Sequence, residues 1–95
     1  MHYLYIIHSE NLCKYYVGET PNVEMRLIQH NGHYFKTNFT KSANDWRILL
    51  KYECGNRKEA LFLEKFIKKM KSKIFIEKII TDPNILKDIL QGYRP

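Results

Sequence analysis

Cysteine is scarce in this chain. Its 95 residues hold two, Cys13 and Cys54, and their spacing fits no zinc site. They read as free thiols in a reducing cytoplasm. Long apolar runs are missing too: nothing approaches the roughly 20 residues of a membrane-spanning helix. The first residues run straight into a strand pattern, so no secretory signal peptide is expected. There is no internal repeat and no low-complexity linker, so the chain is expected to form one domain. Residues 1–82 would make its body and residues 83–95 a C-terminal helix and tail of the same domain. A chain of this size buries well over half of its unfolded surface, enough for one modest core without staples.

What is present suits a folded, basic protein. Apolar residues make up 44% and aromatics 14%, which excludes a disordered chain. Seven of the aromatics are tyrosines, which pack a ring while still offering a hydroxyl. The formal net charge is +6. A basic surface attracts polyanions, of which nucleic acid is the commonest. A membrane-surface role fits less well, because the main basic helix needs its apolar face for a core.

Residues 2–8 are aromatic and β-branched and predict a strand. Ser9-Glu10-Asn11 is a turn signal, and residues 14–19 predict a second strand, giving an antiparallel hairpin. Gly18 near its end permits close backbone approach or a bend. Thr20-Pro21 reads as a helix start, with Thr20 as the cap. Val23, Leu27 and Ile28 form that helix's apolar stripe, while Asn22, Arg26 and His30 share another. Asn31-Gly32 reads as its C-terminus. Residues 32–45 have no period and read as a long loop carrying Tyr34, Phe35 and Lys36. Trp46 to Glu53 predicts a third strand, apolar enough at Ile48, Leu49 and Leu50 to be central.

Asn56 and Glu59 make a capping-box-like start to the main helix. Ala60, Leu63, Ile67 and Met70 form its core face, widened by Phe62 and Phe66. Glu64 lies about 40° around the helix from Ala60 at 100° per residue, on the rim of that face. Residues 74–80 form a short helix or helix end, and Asp82-Pro83 starts a last one near Asn84–Leu90. The order β-β-α-β-α-α makes an α/β (α+β) sandwich, too small for a doubly wound parallel sheet.

Tyr5, Tyr16, Arg26, His30 and Glu64 supply the group types that phosphodiester hydrolysis needs. Arginine's fork matches phosphate oxygens and stays charged. A carboxylate holds Mg²⁺, which keeps several waters and takes few protein ligands. Histidine or tyrosine takes a proton from water, histidine having the better intrinsic pKa.

In order and spacing these residues resemble the GIY-YIG nuclease family. Tyr3-Leu4-Tyr5 stands for Gly-Ile-Tyr and Tyr16-Val17-Gly18 for Tyr-Ile-Gly. Arg26 and His30 match the first helix's arginine and histidine. Thr40-Lys41 with Trp46 resembles the Thr-Lys and Trp stretch of small single-domain members, and Ala60, Glu64 and Lys68 match the later helix. The resemblance spans roughly residues 2–80 and implies a three-stranded antiparallel sheet flanked by helices. It also implies one divalent ion, Mg²⁺ or Mn²⁺, held by Glu64, with Arg26 steadying the scissile phosphate and Tyr5, Tyr16 or His30 as general base. Glu19 stands where some repair-enzyme members have a lysine, a change that opposes a tyrosinate. The family's late asparagine has no clear match.

The resulting expectation is a cytoplasmic, monomeric, metal-dependent endonuclease acting on duplex or branched DNA. It would be loosely specific or structure-directed, with a place in repair or recombination. Lys36, Lys41 and Lys68 are expected to bind the nucleic acid. Lys65, Lys69, Lys71 and Lys73 either extend that phosphate track or are simply solvated. The alternatives are a non-catalytic nucleic-acid-binding module on the same fold and a protein-interaction domain.

Overall fold

The computed structural model describes residues 1–32 and 43–94. Its elements are β1 (His2–Ser9), β2 (Lys14–Thr20), α1 (Val23–Asn31), β3 (Arg47–Cys54), α2 (Arg57–Met70), α3 (Lys73–Thr81) and α4 (Asn84–Leu90). They make an α+β fold in which one antiparallel sheet, ordered β2-β1-β3, lies between two helical layers. The fourth helix, α4, is the one expected near Asn84–Leu90, and it makes seven elements against the six in the order counted from the sequence. Residues 33–42, with Lys36, Thr40 and Lys41, lie outside the described residues.

The central strand is β1, and this corrects the expectation for β3. Leu4, Ile6 and Ile7 are fully buried and Tyr5 is 1% exposed. Alternating side chains of one strand point to opposite faces, so an unbroken buried run means that both faces are covered. That is why β1 alternates poorly in polarity. On one face Leu4 and Ile6 pack with Ala60, Leu63 and Ile67 of α2, Ile79 of α3 and Leu86 of α4. On the other, Tyr5 and Ile7 pack with Val23 of α1, Ala43 and Trp46. β3 lies at an edge and carries a bulge: Ile6 pairs with Leu50 and Ile7 with Ile48, leaving Leu49 as the extra residue.

Local chemistry sets the helix starts. Asn22 caps α1 by accepting from the Met25 N–H at 3.0 Å, which moves the start beyond the expected Thr20 cap. Thr20 instead accepts from the Asn22 N–H at 3.2 Å and shapes the turn before it. Asn56 caps α2 from the Glu59 N–H at 2.9 Å. Glu59 in return takes the Gly55 N–H at 2.9 Å, one residue earlier than an ordinary capping box. Ser72 caps α3, so this helix is separate from α2. The chain turns between them at Lys71, which adopts a left-handed conformation at φ 48°.

α1 ends at Asn31 with Gly32 as its C-cap, as expected, though Gly32 has φ −86° and not a left-handed conformation. A side-chain clamp also pins that end of the helix: Asn31 donates to the Trp46 carbonyl at 3.0 Å and accepts the Trp46 N–H at 2.8 Å. Both cysteines are free thiols. Burial pushes the Cys54 thiol up to about 11, so it behaves as a small core residue. Among the described residues no helix is long and apolar enough to cross a membrane.

Candidate active site

Strand register brings the first two residues of the site together. Tyr5 pairs with Gly18 and Ile7 with Tyr16, so Tyr5 and Tyr16 lie on the α1 face of neighbouring strands, with ring centroids 6.3 Å apart. The Tyr5 ring reaches across β2 over Gly18. A Cβ at Gly18 would stand 2.7 Å from the Tyr5 hydroxyl oxygen, far inside van der Waals contact. Glycine is required there for the close approach of a side chain, with no need for an unusual backbone angle.

From α1, His30 drops onto this pair. The Asn31 clamp holds the helix end that carries it. Its ring lies 4.8 Å from that of Tyr16 and 6.1 Å from that of Tyr5. Its Nε2 is 2.9 Å from the Tyr5 hydroxyl, a buried hydrogen bond. Burial first, and the Arg26 charge second, lower the His30 pKa from 6.5 to about 4. The imidazole is therefore neutral at neutral pH. The Tyr5 hydroxyl is pushed well above the ordinary tyrosine range. Burial is the main cause, and the neighbouring Tyr16 adds to it, with smaller contributions from Glu64 and Glu19. Arg26 opposes the shift. Tyr5 therefore keeps its proton.

Arg26, one helical turn before His30, is half-buried, and its charge is felt by both Tyr5 and His30. Glu64 comes from the opposite helical layer, at the rim of the α2 core face, and its charge also reaches Tyr5. Its Oε2 accepts from Lys68 Nζ at 2.8 Å. The same Nζ lies 5.5 Å from the centre of the Tyr16 ring. Lys68, expected among the nucleic-acid contacts, thus bridges Glu64 and Tyr16 at the margin of the site. Glu19 is held by His2 at 3.6 Å and Arg57 at 3.5 Å.

Two layers result. Tyr5 and His30, each 1% exposed, form a buried bonded pair. Tyr16, Arg26 and Glu64 are half-buried and form the accessible layer in front of it. All five residues expected from the sequence fall in this one neighbourhood. Lys36 and Lys41 lie outside the described residues. Asn31, expected only as a helix stop, also forms the clamp; its partner is 15 residues away and outside any local pattern.

Glu64, a carboxylate with 20% side-chain exposure, is the ligand type that a hard divalent ion takes. Mg²⁺ takes one or two carboxylates and keeps much of its water, whereas zinc sites gather three or four nitrogen or sulfur ligands. Among the described residues no group of three or more His, Cys, Asp or Glu is gathered to hold a metal.

Residues 1–78 match the model of the GIY-YIG catalytic domain, a span that runs from β1 into α3. No curated protein matches the chain significantly, and no solved structure does so either.

Proposed function

The chain belongs to the GIY-YIG nuclease family, and from that premise we propose that it is a metal-dependent endonuclease hydrolysing phosphodiester bonds in DNA. Family membership itself implies nuclease-type function on nucleic acid. The finer reading is a loosely specific or structure-directed enzyme, monomeric and cytoplasmic, serving DNA repair or recombination. The observation that supports it best is the layering of the site, in which three groups suited to phosphate chemistry stand in front of a buried, neutral Tyr5–His30 pair.

The layering separates the candidates for general base. Proton transfer from water needs a group that water can reach. Of Tyr5, Tyr16 and His30, only Tyr16 keeps partial exposure, so Tyr16 is the base: its hydroxyl proton passes to bulk water first, and the phenolate then takes the proton of the attacking water. Lys68, 5.5 Å from the centre of its ring, offsets the negative charge of that phenolate before the transfer. Tyr5 and His30 position that ring from behind. Their bond is satisfied internally, so neither presses a charged group into the site. Arg26 binds non-bridging phosphate oxygens and stabilises the charge that grows on them in the transition state. Glu64 would hold the divalent ion, which when bound supplies Lewis-acid stabilisation of the phosphoryl and leaving oxygens. Lys68, which holds Glu64 Oε2, would share that carboxylate with the ion and could contact the phosphate.

The test is plasmid nicking with Mg²⁺ or Mn²⁺ by the native chain and by Glu64→Gln. Nicking by the native chain that falls to background in the variant is expected; equal nicking would remove Glu64 from the mechanism. The Glu64–Lys68 pair at 2.8 Å motivates a second reading, a non-catalytic nucleic-acid-binding module whose carboxylate is permanently engaged. Salt-dependent binding with no cleavage of duplex, flap or branched DNA under either metal would select it.

A further inference from the structure

An open cavity of about 470 Å³ lies where the outer edge of β2 meets the turn between α2 and α3. Volumes of about 300–1,000 Å³ are typical of small-ligand sites. Its rim carries four lysines: Lys14 from β2, Lys68 from the last turn of α2, and Lys71 and Lys73 from the turn and the start of α3. No acidic side chain lines it among the described residues. The left-handed Lys71 reverses the chain between the two helices and so brings Lys73 onto the same rim. The sequence offered five lysines as a possible track. The fold keeps Lys68, Lys71 and Lys73 on the cavity, leaves Lys65 and Lys69 off it, and adds Lys14 from 54 residues upstream of Lys68.

Two further properties narrow the ligand. The floor is apolar: the half-buried Tyr15 and Ile76 present it, over Val17 and Ile67 of the core. Tyr16, which belongs to the proposed active site, also lines the cavity, and Lys68 touches both places. A duplex turns its charged backbone outward and keeps its base faces stacked inside, so it would use the lysines and leave the floor unoccupied. A strand with unstacked bases offers phosphates to the rim and apolar base faces to the floor. We propose that this cavity binds an unpaired nucleotide stretch adjoining the scissile phosphate, without regard to base sequence. The proposal rests on the nuclease reading for its link to a scissile phosphate. The binding it describes is measurable without cleavage.

The test uses fluorescently labelled single-stranded and duplex DNA oligonucleotides of equal length, in a Glu64→Gln background so that nothing is cut. The variant carries Lys14→Gln, Lys71→Gln and Lys73→Gln. A control of equal charge carries Lys58→Gln, Lys78→Gln and Lys87→Gln, all exposed and away from the cavity. On the single strand the cavity variant should bind roughly tenfold or more weakly, with a salt slope shallower by about 2, since each phosphate contact on a single strand contributes about 0.7. Its duplex affinity should fall no more than the control's. Unchanged single-strand affinity, or equal losses on both probes or in both variants, would overturn the proposal. The nuclease reading fails separately: it is refuted if the chain with intact Glu64 cuts nothing, whatever the cavity binds. If that chain cuts while the cavity variant binds single strands normally, the nuclease reading stands and the cavity proposal falls.

Discussion

The two faces of the sheet are built from different material. Against α2, α3 and α4, Leu4 and Ile6 meet aliphatic side chains and one thiol, and the polar His8 and Glu19 alternate onto that side nearer the strand ends. Against α1, Tyr5 and Ile7 share their layer with Val23 and Trp46, but the same face also buries His30 on a tyrosine hydroxyl. Burying polar groups is tolerated only when they are bonded to each other, and even then it yields less stability than an apolar contact. The difference therefore separates two tasks. The α2–α4 face supplies stability, and the α1 face gives up some of it to hold a polar pair behind Tyr16.

Four measurements break or sharpen this division. The largest effect is expected at Tyr16. Tyr16→Phe keeps the ring and loses the hydroxyl, so kcat should fall by about 10²–10⁴-fold while the melting temperature and DNA affinity stay near native values. A variant that cuts normally would remove Tyr16 as the base. On the opposite face, Leu63→Ala should cost about 2–5 kcal/mol of stability, read by urea unfolding, with activity per folded molecule unchanged. Lost activity at full folding would show that the apolar face is not passive.

The pH dependence of stability probes the polar pair. His30 has a folded-state pKa of about 4, below its ordinary 6.5. The unfolded chain thus takes up the proton first as pH falls. Its stability contribution is complete above pH 6.5 and is lost between 6.5 and 4, on the order of 2 kcal/mol. Denaturation at pH 7, 5.5 and 4 should show this decline in the native chain and a smaller one in His30→Gln. Identical declines would mean that His30 titrates as a free histidine. The smallest effect is expected for Tyr5→Phe, which leaves His30 Nε2 without its 2.9 Å partner and should cost about 1–2 kcal/mol. Its kcat should drop far less than that of Tyr16→Phe; the reverse order would move the base into the buried layer.

Much of this architecture was legible in the residues. The hairpin, the α2 start at Asn56 and the α4 segment follow from turn chemistry, capping and periodicity, all of which act within a few residues. The five site residues were legible as types at spacings. Where the reading failed, the deciding contact was distant or lay between competing neighbours. Thr20 and Asn22 are both capping residues, and the one whose side chain reaches an N–H of the first helical turn took the role. Leu49 marked β3 as central by composition, yet β1 holds that place because both its neighbours pair with it.

By itself the sequence determined which segments become strands and helices, because hydrophobic period and caps are local. It also determined the chemistry on offer: two tyrosines, an arginine, a histidine and a glutamate. Only the tertiary structure decided how those groups divide. Tyr5 and Tyr16 are chemically equal in the chain. They differ because β1 is covered on both faces, while β2 is an edge strand whose outer side stays open to water and, on the proposal above, to the strand being cut.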